Sequence, residues 1–208
     1  MRSPHRIWFR WMAAAALTLT PVAARGQAVT FDARGGVGIP LSDLADLEDA
    51  GAAIGGAVSV WLSDRFAVQL TGDSDILTGT NLPDGGEAPD MNLFHYGAGV
   101  ELLLSDPDVR SLQLSVNAGA GATTMDTDEF TPGAGNDFNQ TYPTVNGGIQ
   151  VGLELGPSVD VFVNGQVYVV FTDDKDTARF AQLSPDVDPG GFNTALSIPI
   201  TAGFRLRI

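Results

Sequence analysis

Residues 193–208 read NTALSIPITAGFRLRI. Every second position, Thr194, Leu196, Ile198, Ile200, Ala202, Phe204, Leu206 and Ile208, is apolar except the first. The positions between, Asn193, Ala195, Ser197, Pro199, Thr201, Gly203, Arg205 and Arg207, are small or polar. Side chains on a strand alternate between its two faces, so this is a β-strand with one apolar and one polar face. Pro199 has no N–H to give a ladder, which places it at an edge or a bulge.

Working back from that strand, the same alternation recurs seven times. The strands are expected at residues 29–39, 51–62, 66–73, 91–104, 111–123, 143–155 and 159–170. In the fourth, Phe94, Tyr96, Ala98, Val100, Leu102 and Leu104 oppose His95, Gly97, Gly99 and Glu101. The connections alternate in kind. Ser63-Asp64-Arg65, residues 105–110 and Gly156-Pro157-Ser158 are short turns, whereas 40–50, 78–90, 124–142 and 171–192 are long polar loops. The fold class is therefore all-β. Eight strands of about 8–14 residues with short turns at one end and long loops at the other suit an up-and-down transmembrane barrel.

The polar face carries Gln69, Gln113, Asn117, Asn146, Gln150, Asn164 and Gln166 among many glycines. An exported soluble barrel of the lipocalin kind is the third reading, and it would turn its apolar face inwards instead.

Residues 1–28 are expected to be a cleaved signal peptide, with Arg2, Arg6 and Arg10 before an apolar stretch and small residues at Gly26-Gln27-Ala28. Residues 29–208 then form the barrel domain. Loss of the segment's four arginines would take the formal charge from −14 to −18. Such a chain is no partner for nucleic acid, which needs clustered Lys and Arg. The absence of cysteine excludes a disulfide framework and thiolate metal sites.

The opening GGVGIPLSDL at residues 35–44, the segment VSVWLSDRFAVQL at 58–70 and the ending ITAGFRLRI carry a family likeness. The chain resembles the small eight-stranded bacterial outer-membrane β-barrels of the OmpA-transmembrane, OmpX and OmpW kind. The resemblance implies that both chain ends and the short turns face the periplasm, and that lipid and lipopolysaccharide surround the wall. It also implies that the closing strand is read by the barrel-assembly machinery, although Ile208 stands where an aromatic residue usually ends it.

That orientation places Asp32, Arg34, Glu101, Glu154, Asp160, Arg205 and Arg207 on the polar face in the periplasmic half. Four acids against three bases are expected to form a paired cluster plugging the lumen, since unpaired buried ions are costly. His95 shares a face with Glu101, but no serine follows it in HYGAGVE, and six positions separate the two along the strand. A hydrolytic triad is not supported and no catalytic residue is assigned.

Sixteen of the 25 acids fall in the four long loops. Asp173, Asp174, Asp176, Asp186 and Asp188 in the last are the candidate divalent-cation residues, calcium being the ion that clustered carboxylates suit. Residues 126–137 start like a calcium loop, yet Thr131 stands where the turn needs Gly. The expected function is a non-enzymatic barrel with a structural or surface role and no resident cofactor. The alternative is an OmpW-type barrel passing an apolar solute through its side.

Overall fold

The computed structural model describes residues 28–81, 88–106, 112–127, 138–181 and 191–208. The expected signal segment, residues 1–27 of it, lies outside these. Eight strands follow in order: β1 (Val29–Leu41), β2 (Glu48–Trp61), β3 (Phe66–Gly79), β4 (Met91–Leu103), β5 (Gln113–Thr127), β6 (Phe138–Gly156), β7 (Val159–Val170) and β8 (Ala195–Arg207). Each pairs antiparallel with the next, and β8 returns to β1 to close the barrel. The closing seam runs without a break from Thr30 opposite Arg207 to Leu41 opposite Leu196.

The two faces separate as the alternation requires. Ile54, Leu70, Phe94, Val100, Ile149, Val163, Ile200 and Phe204 are exposed on the outer wall, while Asp32, Asp73, His95, Glu101, Asn164, Gln166 and Arg205 are buried in the lumen. A soluble barrel has the reverse arrangement. This wall is built to stand in lipid, with the backbone paired between neighbouring strands all round the closed sheet apart from one short gap.

Pro199 sits neither at an edge nor at a bulge. A closed barrel has no edge, and the register between β7 and β8 is the same on both sides of the proline. The ladder simply drops out where Gln166 and Val167 face Pro199 and Ile198. A missing donor is here absorbed as a local gap in one seam.

The first three outer connections are shorter than expected because β1, β2, β3, β5 and β6 run past their expected outer ends. Residues 40–50 prove to be the end of β1, a 3-10 turn at Ser42–Asp46 and the start of β2. Glu48, Asp49 and Asp126 thus belong to strands rather than loops, and β6 spans 19 residues. At the outer ends of β3, β4, β5 and β6 the chemistry of the two faces changes over. Outside, Ser74 donates to Asn92 at 2.6 Å, Thr124 bonds Thr141 at 2.9 Å and Asn139 donates to Asp126 at 2.9 Å. Inside, Leu77, Met91, Leu93, Met125 and Phe138 are buried. Above the bilayer the wall meets water, so polar residues turn out and apolar ones turn in.

Candidate functional site

Three layers of buried side chains lie in the lumen. The layer nearest the chain ends is centred on Arg205. Its guanidinium donates to both oxygens of Asp32 at 2.8 Å and to both of Glu101 at 2.9 Å, two bidentate pairs on one side chain. Ser115 adds a hydrogen bond to Glu101 at 2.8 Å. The rings of Trp61 and Phe162 lie 5.9 Å from the guanidinium carbon, where the cation meets their π-faces. Beside this group Arg207 donates to Asp160 at 2.6 Å and approaches Glu154 at 3.8 Å. Six of the seven residues expected in the plug are thus assembled.

Arg34 is the exception, and register explains why. It lies opposite Gly55 of β2, which in turn lies opposite Asp73 of β3. With no side chain at Gly55, Arg34 reaches across to Asp73 at 2.8 and 2.6 Å. A Cβ at Gly55 would run into the Asp73 carboxylate. The row continues through His95 and Thr123 on β4 and β5. This middle layer contains groups that sequence reasoning did not single out: Asp73, Asp75, Thr123, Thr144 and Tyr168. All have the inward parity, but only the pairing of strands shows that they meet.

His95 stacks on Tyr168 with ring centroids 3.9 Å apart, and Tyr168 donates to Asp73 at 2.6 Å. Thr123 bonds His95 Nδ1 at 2.7 Å and Thr144 at 2.7 Å, and Asp75 lies 3.4 Å from His95 Nε2. Carboxylate, imidazole and hydroxyl in this order form a nucleophile's relay on paper. However, Thr123 and Asp75 are fully buried, and the gap bounded by Arg34, Asp73 and Asp75 is too small to hold a water molecule. That hydroxyl has no exposed surface. The cluster is a packed structural network, and Tyr168→Phe is expected to cost about 1.5–3 kcal/mol by removing a hydrogen bond to a charged partner. Urea unfolding in lipid vesicles measures this directly.

The outer layer is apolar. Leu44 and Leu47, from the connection between β1 and β2, pack with Leu77, Leu93, Met125, Phe138 and Phe192 over the lumen mouth. The signal for it was available: Leu77, Met91, Leu93 and Met125 stand at positions where the alternation calls for polar residues.

Across the rim, a short helix α1 (Asp174–Ala181) lies between β7 and β8. The candidate cation residues divide here. Asp173 accepts the Lys175 N–H at 2.9 Å, satisfying one of the free amides that begin a helix. Asp176 accepts from the Tyr142 hydroxyl at 3.2 Å. Asp174 is in the first turn of α1, where negative charge suits the helix dipole. Asp186 and Asp188 lie outside the described residues. Among the described residues no three acidic or histidine side chains converge as metal ligands would. Thr177 ties α1 to the return limb, donating to the Phe192 carbonyl at 2.6 Å and accepting its N–H at 2.9 Å. Gly191 precedes that contact at φ 84°, and a Cβ there would collide with the Asp174 carbonyl. Only glycine fits this close approach.

Neither a protein-family profile nor a curated sequence matches the chain. Solved structures do. Neisserial surface protein A (NspA) superposes with a TM-score of 0.55 at 14% identity, covering 88% of this chain and 97% of that one. OprG of Pseudomonas aeruginosa gives 0.54 at 12%, with 88% and 97% covered. Ail of Yersinia pestis, solved with the heparin analogue sucrose octasulfate, gives 0.53 at 9%, with 88% and 98% covered. At these identities the likeness is one of fold. The chain has the fold of the small eight-stranded outer-membrane barrels.

Proposed function

We propose that the protein is a non-enzymatic, non-conducting barrel of the outer membrane whose role is structural or lies in contacts made at its outer rim. The observation that carries this is the filled lumen. A path along the axis would have to cross the Arg205 layer, the Arg34–Asp73–His95 layer and the apolar lid in turn, each made of buried side chains. An eight-stranded barrel is just narrow enough for its own side chains to fill it.

With the interior closed, the remaining working surface is the rim. The outer segments are acidic by sequence, so their field repels polyanions and gathers cations or cationic partners. Asp173 and Asp176 already have hydrogen-bond partners within the chain, which favours a diffuse field over a coordinated calcium site. Phospholipid and lipopolysaccharide would contact the belt, and β8 would be the strand handed over during assembly.

Two measurements test the reading together. The folded protein is expected in the outer-membrane fraction, migrating differently on a gel before and after boiling. Reconstituted in a planar bilayer, it is expected to show no stable open state. Recovery from the soluble periplasm would overturn the membrane placement, and a steady ion-selective current would overturn the closed lumen.

A further inference from the structure

The outer wall is not evenly ridged. Across β6, β7 and β8 it carries two open apolar hollows, of about 430 and 560 Å3, which share Val151 and Val163 and so form one groove. Its periplasmic part lies among Leu153, Val161 and Phe204, and its upper part among Ile149, Val167 and Ile200. The hollow exists because small residues interrupt the large ones on this face: Gly147 on β6, Gly165 on β7 and Ala202 on β8. No Cβ at Gly165 would meet anything within 4 Å, and at Gly147 the nearest atom would be 3.6 Å away, so nothing in the barrel itself demands these glycines. Their effect is on the outside.

The groove has a definite length and depth. Along β7 it runs from Val161 to Val167, six residue steps or roughly 20 Å at about 3.3 Å per step. With strands tilted about 45°, that is roughly 14 Å along the bilayer normal, close to half of a hydrocarbon core of about 30 Å. Val161 lies two residues from the periplasmic start of β7, and Gly165 pairs with Ile149 at mid-height, so four of the six steps from Val161 to Val167 lie below the bilayer middle and two above it. About two thirds of its length therefore lies in the periplasmic leaflet.

We propose that this groove seats an acyl chain of a phospholipid from the periplasmic leaflet. The lining is apolar throughout. The groove therefore selects a chain of one-leaflet length and not a particular headgroup. Its floor of glycine and alanine lets the chain approach the backbone, gaining contacts that a ridged wall would deny. A lipopolysaccharide chain, entering from the opposite leaflet, would meet only the shorter upper part of the groove. The inference rests on the membrane-spanning reading above and adds a ligand to it.

Native mass spectrometry from nanodiscs of phosphatidylethanolamine and phosphatidylglycerol tests it. Wild type is expected to leave the bilayer with one phospholipid attached, in proportion to the two lipids supplied. Gly147→Leu/Gly165→Leu fills the groove at positions where a side chain has room, and should reduce the adduct about tenfold. Ala98→Leu/Ala120→Leu places the same side chains on the exposed β4–β5 wall and should leave it unchanged. Both variants must retain the gel shift of the folded barrel. An adduct equal in all three proteins would overturn the proposal, as would a lipid-free monomer or a protein dimer in wild type. Failure to enter nanodiscs at all would instead overturn the membrane reading.

Discussion

Arg205→Ala is expected to destabilise the barrel by about 3–5 kcal/mol, the cost of leaving buried charges without their partner. The size follows from dryness. The side chains of Arg205, Asp32 and Glu101 are 5%, 2% and 2% exposed, so water cannot screen the two carboxylates once the guanidinium is gone. In a wet lumen the same change would cost about 0–1 kcal/mol, as for a surface pair. Arg205→Lys keeps the charge but cannot offer two parallel donors to each of two carboxylates, so an intermediate loss is expected. The informative control is the triple replacement Arg205→Met/Asp32→Leu/Glu101→Leu. Removing the whole ionic group together leaves no orphaned charge and should cost far less than Arg205→Ala alone. Urea titration in vesicles reads all three. A single substitution costing under 1 kcal/mol would mean that water reaches this layer after all.

A second large effect is expected on the opposite face of the wall. Ile149→Arg should cost about 2–4 kcal/mol, because a cation is placed against lipid near the bilayer midplane. Ile149 is 57% exposed and lies seven residues from the periplasmic end of β6. Leu114→Arg should cost only about 0–1 kcal/mol, although Leu114 also faces outwards. It is the second residue of β5, close to the interface, where an arginine can extend its head into water. A comparison of the two separates facing from depth. Equal penalties would place the belt at the wrong height on the wall.

The strand count, the facing of every strand and the closure were legible because one physical rule governs them. Alternation survives wherever lipid lies outside and polar side chains lie inside. It misled where the environment changed. Above the bilayer Leu77 and Met125 point inwards while Thr78 and Asp126 point outwards, so the outer ends of β3 and β5 read as loop. The site was legible in composition and not in partnership. Arg205, Asp32 and Glu101 could be placed in one cluster from their depth alone. Arg34 could not, because its partner depends on a vacant position on the neighbouring strand, and Gly55 looks like any other glycine in a glycine-rich chain. Tyr168 was hidden by its neighbours: in Val167-Tyr168-Val169 it reads as one more apolar strand residue, and only its hydroxyl on Asp73 reveals the inward role.

The Arg205 contacts join residues 173 and 104 positions apart in the chain, and they cannot exist until the first and last strands have met. Contacts of such long sequence separation are late arrivals on a folding route, since loop closure must precede them. An interaction absent from the transition state leaves the folding rate almost untouched and acts on the reverse rate. The guanidinium is therefore a latch on an already closed ring. Its contribution should appear as a longer lifetime of the inserted barrel, the property that matters for a protein in an envelope where opened strands have no water-soluble state to return to.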